Sequence, residues 1–338
     1  MFIKMIKKMK LIFLVFLGIF FLVLVGCRSE RTAAGGGTTS RTYKIAVIPK
    51  GTTHEYWKAV QAGAIKAGRE LGVEIFWKGP QKEDDRSQQI QVVEDFISRK
   101  VDGIVLAPLD DRALVRPVDE ARQEGIPVVI IDSNLQGENY LSFVATDNYQ
   151  GGVIAARRLA EIMGKKGKIF LIRYLEGSAS TTFREQGFLD TMTKEYPEIE
   201  FLVKDQYAGT TTESAYQLTE NLLSRFPQVE GIFAPNESST FGALRALQEA
   251  GLAGKIKFVG FDSSAKLIEA LKNKELHGLV LQDPVKMGYL GVKILVDYLQ
   301  GKPIEKRIDT GVKLATPENM ETLEIKALLQ PDISHYVR

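Results

Sequence analysis

The sequence predicts an α/β protein built as two doubly wound parallel-sheet lobes. Three observations carry this. Short β-branched runs alternate with segments of helical period, the pattern of parallel strands covered on both faces. The alternation starts afresh near Asp147. No period of ~20–50 residues recurs closely enough to suggest a solenoid.

The first strand is Lys44–Pro49 (KIAVIP). A helix follows over Glu55–Leu71, with Trp57, Val60, Ala64, Ala67 and Leu71 on one face and Gly72 as its stop. Next come a strand over Val73–Trp77, a helix over Asp84–Arg99 and a strand over Gly103–Ala107. A helix over Arg112–Glu124, the strand Pro127–Asp132 (PVVIID) and the strand Phe143–Thr146 complete the first run. The second run places strands at Lys168–Arg173, Ile199–Val203, Gly231–Pro235, Lys257–Asp262 and Gly278–Gln282. Its helices turn Leu159, Phe188, Leu222 and Leu247 inward.

Ahead of this stand Lys4, Lys7, Lys8 and Lys10, then the unbroken apolar run Leu11–Val25, in the plan of a secretory signal. The run is shorter than the ~20 residues of a membrane-spanning helix; a retained anchor is the alternative. It closes on Leu24-Val25-Gly26-Cys27, which resembles the lipobox of bacterial lipoproteins. That resemblance implies a signal over residues 1–26 and a diacylglycerol on the Cys27 thiol. Residues 27–42, with Gly35-Gly36-Gly37, then form a lipidated cysteine and flexible tether. Removing the four lysines takes the formal charge from +2 to about −2, and no basic run remains to mark a nucleic-acid surface. Cys27 is the only cysteine, so a lipidated chain has no thiol for a disulfide or a metal.

The turn after the first strand reads Pro49-Lys50-Gly51-Thr52, which offers a dinucleotide no glycine cradle. Neither a phosphate-binding GxxxxGK[ST] nor a GxSxG nucleophile elbow is present. His54, His277 and His335 lack ligand-spaced partners for zinc. The expectation is a non-enzyme with no cofactor and no metal.

Open α/β sheets bind ligands at the carboxyl ends of their strands. Those ends carry Lys50, His54, Tyr56 and Trp57, then Asp132 and Ser133. Arg184, Tyr207, Asn236, Asp262 and Gln282 follow in the second run. Asp, Asn, Arg and Gln can pair with vicinal hydroxyls, and Tyr and Trp faces can stack on the C–H face of a sugar ring. Asp and Asn in such places also serve as helix N-caps, and Trp57 also starts an apolar stripe.

From Lys44 to about Ala315 the chain resembles the periplasmic sugar-binding proteins of ABC importers, the ribose-binding type, whose fold is shared with LacI-type repressors. The matching stretches are Ile45-Ala46-Val47-Ile48, Phe143-Val144-Ala145-Thr146-Asp147-Asn148 with Gly151-Gly152, and Arg184-Glu185-Gln186-Gly187-Phe188. Gly242 to Gln248 and Val259-Gly260-Phe261-Asp262 complete them. The resemblance implies a three-strand hinge near Asp147, Gln282 and Gly311, joining residues 43–146 plus 283–311 to residues 147–282 plus 312–338. It puts Tyr56 and Trp57 at stacking positions and Asp132, Arg184, Asn236, Asp262 and Gln282 at hydroxyl-binding ones. Lys50 stands where a small hydroxyl residue is expected, Ser133 replaces an arginine, and Thr210 or Tyr207 falls where an aromatic is usual. Lys50 also resembles relatives that bind a furanosyl autoinducer. The implied function is capture of a sugar-like solute by a monomer tethered outside the cytoplasm, for delivery to an ABC permease. A ligand-presenting sensor is the alternative. A LacI-type regulator would need an N-terminal helix-turn-helix.

Overall fold

The computed structural model describes residues 42–337. The signal, Cys27 and nearly all of the tether lie outside the described residues.

Two six-stranded sheets organise the chain. The first holds β1 (Lys44–Ile48), β2 (Glu74–Trp77), β3 (Gly103–Leu106), β4 (Val128–Ile131), β5 (Ser142–Ala145) and β11 (Arg307–Asp309). Their order is β11-β5-β4-β3-β1-β2, with every pair parallel. The second holds β6 (Gly167–Arg173), β7 (Ile199–Tyr207), β8 (Gly231–Phe233), β9 (Lys257–Phe261), β10 (Gly278–Leu281) and β12 (Lys313–Ala315). Its order, β12-β10-β9-β8-β6-β7, repeats that of the first, and only β12 runs antiparallel to its neighbour. The two-lobe α/β expectation therefore holds.

The β-branched runs bury both strand faces, as parallel sheets require. Ile45 and Val47 pack to one side of the first sheet with Trp57 and Val60, while Ala46 and Ile48 pack to the other with Val92 and Phe96. Leu159, Phe188, Leu222 and Leu247 are buried in the second lobe, as their spacing predicts.

The helices are α1 (Glu55–Leu71), α2 (Arg86–Ser98), α3 (Val115–Gln123), α4 (Asn148–Ile162) and α5 (Ala179–Glu195). They continue with α6 (Thr212–Arg225), α7 (Glu237–Glu249), α8 (Ala265–Lys272), α9 (Pro284–Leu299) and α10 (Leu323–Leu329). Two of them are exchanged. α4 leaves the first sheet after β5 but packs against α5, and α9 leaves the second sheet after β10 but packs against α1. Glycines allow both crossings to be close. A Cβ on Gly152 would stand 1.9 Å from the Arg184 carbonyl oxygen, and one on Gly288 would stand 2.1 Å from that of Val60.

The chain passes between the sheets after β5, after β10, and between β11 and β12. Two passages are tied together: the Thr146 and Thr310 hydroxyls are 3.3 Å apart, and Thr146 donates to the Gly311 carbonyl at 3.2 Å.

Two expected elements differ in extent, and the short strands β11 and β12 are not expected from the sequence at all. α3 starts later than Arg112, because Asp110 accepts the Arg112 and Ala113 amides into a turn of its own. β7 runs on to Tyr207 beside β6, with register shifts around Phe170, so Gln206 and Tyr207 are strand residues.

Candidate functional site

The carboxyl ends of the two sheets face each other, and the connections leaving them supply the site. Asp132 follows β4 and Asp262 follows β9, at equivalent places in the two lobes. Both have left-handed backbones, φ 63° and 66°. Their amides donate to the next strand's carbonyls, Asp132 to Val144 at 3.1 Å and Asp262 to Val280 at 2.8 Å. Left-handed non-glycine residues cost ~1–3 kcal/mol and concentrate at functional sites.

Around the first aspartate, the Tyr56 hydroxyl donates to Asp132 Oδ1 at 2.9 Å. Lys50 Nζ stands 2.9 Å from Asp132 Oδ2 and donates to Ser180 Oγ at 2.9 Å, across the cleft. The lysine and this oxygen form a buried ion pair. Around the second, Gln282 Nε2 donates to Asp262 Oδ1 at 2.8 Å and Arg184 Nη1 lies 4.0 Å from Oδ2. Burial pushes the Asp262 carboxyl up, and Arg184 and Gln282 oppose it. Arg184 is 2 % exposed. Its Nε donates to Asn148 Oδ1 at 2.8 Å, its Nη1 donates to the Pro235 carbonyl at 2.9 Å, and its guanidinium lies 3.9 Å from the Phe261 ring centre.

A second cluster spans the lobes beside Tyr56 and Trp57, whose rings meet edge to face at 5.0 Å. α1 has no side-chain cap of its own at His54. The Glu237 carboxylate, at the start of α7, instead accepts the amides of Glu55 (3.3 Å) and Tyr56 (3.0 Å) from across the cleft. This places a negative group on the positive end of the α1 dipole. Burial lifts Glu237 to about 7, against the pull of His54 and the Tyr56 amide. Burial alone would depress the His54 imidazole; Glu83 at 2.7 Å, with Glu237 and Asp262 beyond, overrides it and raises His54 to about 9.

Lys50, His54, Tyr56, Trp57, Asp132, Arg184, Asn236, Asp262 and Gln282 thus line one narrow space with a cavity volume of about 20 Å³, well below the ~300–1,000 Å³ of small-ligand pockets, so a ligand enters as these groups part. Asn236 is also the N-cap of α7, its Oδ1 accepting the Ser239 amide and hydroxyl. Ser133 does not face the space. Its buried hydroxyl accepts the Ser180 amide at 3.0 Å and ties the lobes together. Tyr207 also lies elsewhere: β7 is longer than expected, and the ring sits 42 % exposed on this edge strand, under the Arg173 guanidinium at 4.6 Å. Tyr207→Ala should accordingly change ligand affinity by no more than ~2-fold, as for other surface replacements. A larger loss in calorimetric titration would return the residue to the site.

Sequence reasoning missed Glu83, Tyr174, Ser180, Thr181 and Glu237, which line the same space. Glu237 adjoins Asn236, and Tyr174 adjoins the end of β6, so both carried the strand-end signal. Glu83 stands well past the end of β2, and no spacing marks it.

The sequence pattern of the periplasmic binding protein domain matches residues 45–303. The chain belongs to the periplasmic binding protein family. As a member it has sugar-import relatives along most of its length. The ribose import binding protein of Bacillus subtilis (strain 168) is 28% identical over 276 residues, covering 82% of this chain and 88% of the relative. The D-ribose/D-allose-binding protein of Pseudomonas aeruginosa is 30% identical over 311 residues, covering 87% and 95%. Among solved structures, a carbohydrate transporter solute-binding protein from Agrobacterium radiobacter in complex with D-arabinose aligns with TM-score 0.83 and 36% identity, over 86% of this chain and 100% of that one. An ABC transporter solute-binding protein from Agrobacterium vitis with bound D-fucose aligns with TM-score 0.81 and 36% identity, over 85% and 100%.

Proposed function

We propose that this periplasmic binding protein captures a monosaccharide between its lobes and delivers it to an ABC permease, without transforming it. One observation carries the reading: two aspartates on equivalent strand ends, each with a cationic neighbour and an amide or hydroxyl donor, face one space beside Tyr56 and Trp57. Such pairs can exchange their mutual bonds for ring hydroxyls, and a polyol leaves no buried donor unpaired, a loss of ~1–3 kcal/mol each. Relatives named for ribose, allose, arabinose and fucose support the sugar class, and those named for import favour delivery over ligand presentation to a sensor. The lobes divide as residues 43–146 plus 283–311 and 147–282 plus 312–338. Lys50, paired to Asp132, serves a neutral ligand by donating from its ammonium to a ring hydroxyl oxygen.

Isothermal titration over aldopentoses, 6-deoxyhexoses and aldohexoses should give at least one saturable ligand, and native mass spectrometry of the purified protein should show the same mass. Silence across the panel would overturn the reading. The protein works outside the cytoplasm as a monomer, tethered through a lipid on Cys27. Cys27→Ser should abolish incorporation of radioactive palmitate; persistent labelling would place the lipid elsewhere.

A further inference from the structure

Glu83 lies in the β2–α2 connection and is 7 % exposed. Both of its oxygens are engaged, on different lobes. Oε1 accepts the Trp57 indole N–H at 2.7 Å and stands 2.7 Å from His54 Nδ1, both of the first lobe. Oε2 accepts the hydroxyl of Tyr174, at the end of β6 in the second lobe, at 2.8 Å. Space is reserved for this side chain, since a Cβ on Gly51 would come within 2.8 Å of Glu83 Cγ.

We propose that Glu83 is a positioning residue that couples lobe closure to the aromatic wall of the sugar site: Oε1 fixes Trp57 and His54, and Oε2 receives Tyr174 when the lobes meet. This rests on the sugar-binding reading above. An indole held by its N–H presents one fixed face, so a ring can stack on Trp57 without first ordering it. Tyr174 is fully enclosed, and its hydroxyl finds a partner in the cluster only by meeting this carboxylate, which makes the contact a signal of closure.

The charge state supports the geometry. Burial would raise the Glu83 carboxyl, but His54, then Lys50 and the Trp57 N–H, hold it at about 2. His54 in turn faces Glu83 from the β2–α2 connection, Glu237 from α7 and Asp262 from the end of β9. With a neutral residue at 83, burial is opposed only by the more distant Glu237 and Asp262, and His54 falls back toward its ordinary range.

Two measurements test this in a Trp77→Phe background, where Trp57 is the sole tryptophan. In stopped-flow binding, Tyr174→Phe should raise the sugar off-rate roughly 10-fold, the loss of one hydrogen bond to a charged group, with the on-rate nearly unchanged. Glu83→Gln should do the same, and the double variant should be no worse than the stronger single one. In the ligand-free protein carrying Glu237→Gln, which removes the neighbouring carboxyl that titrates at about 7, Trp57 fluorescence should be flat from about pH 5.5 to 8 with Glu83 in place and sigmoidal in Glu83→Gln, as His54 titrates. Unchanged off-rates, additive losses in the double variant, or a flat profile in Glu83→Gln would each overturn the proposal. Should Glu83→Gln fail to fold, His54→Asn combined with Tyr174→Phe closes the cycle through the same carboxylate. If the parent binds no sugar in the panel, the sugar-binding reading falls, while the fluorescence profile still judges Glu83.

Discussion

Arg184→Ala is expected to weaken sugar binding by at least ~100-fold, the scale of breaking a buried charged contact. The guanidinium joins α5 to Asn148 at the start of α4, to the Pro235 carbonyl before α7, and to Asp262 after β9. Its removal leaves three polar groups without that partner in a nearly dry place and takes the facing plane from Phe261. Arg184→Lys should recover little, because an ammonium cannot reproduce a planar fork that meets Asn148 and Pro235 at once while lying on a ring. Titration calorimetry checks this, with circular dichroism establishing that the variant is folded. Binding by Arg184→Lys equal to the parent would show that only the positive charge matters.

The second large effect is on stability. Gly152→Ala should cost about 3 kcal/mol or more, the upper range for overpacking, since the added carbon would meet backbone 1.9 Å away rather than a side chain that can turn aside. For a domain of this size that lowers the melting temperature by roughly 6–12 °C. The obstructing atom is the carbonyl oxygen of Arg184 itself, so pushing α5 away from α4 also moves the guanidinium. Gly152→Ala should therefore lose affinity as well as stability, whereas Gly288→Ala, its counterpart against Val60 in the other lobe, should lose mainly stability. Thermal unfolding and titration of both variants separate the two. A Gly152→Ala protein as stable as the parent would mean that the helices slide apart at little cost.

The fold was legible because parallel strands buried on both faces leave unmistakable runs such as KIAVIP and PVVIID, and the helix faces between them keep their period. What escaped was what depends on pairing. β7 extends through Lys204, Asp205, Gln206 and Tyr207, a polar stretch held in the sheet by β6 rather than by burial, and this displaced Tyr207 from the site. The short strands β11 and β12 likewise owe their form to neighbours. Within the site, the rule that ligands gather at strand ends found Lys50, Asp132, Asp262 and Gln282, because topology alone brings such residues together. It could not find Glu83, whose role depends on a loop folding back under Gly51. Nor could it tell that Ser133 would be spent on the Ser180 amide.

The exchange of α4 and α9 bears on when the molecule can take shape. The first sheet is complete only when β11 joins it, and its outer layer only when α9 arrives, so the part of the chain made first waits for segments made nearly last. Contacts that distant in sequence are slow to form. The order of synthesis and the order of completion therefore differ: the strands made first complete their sheet only when the chain is nearly whole.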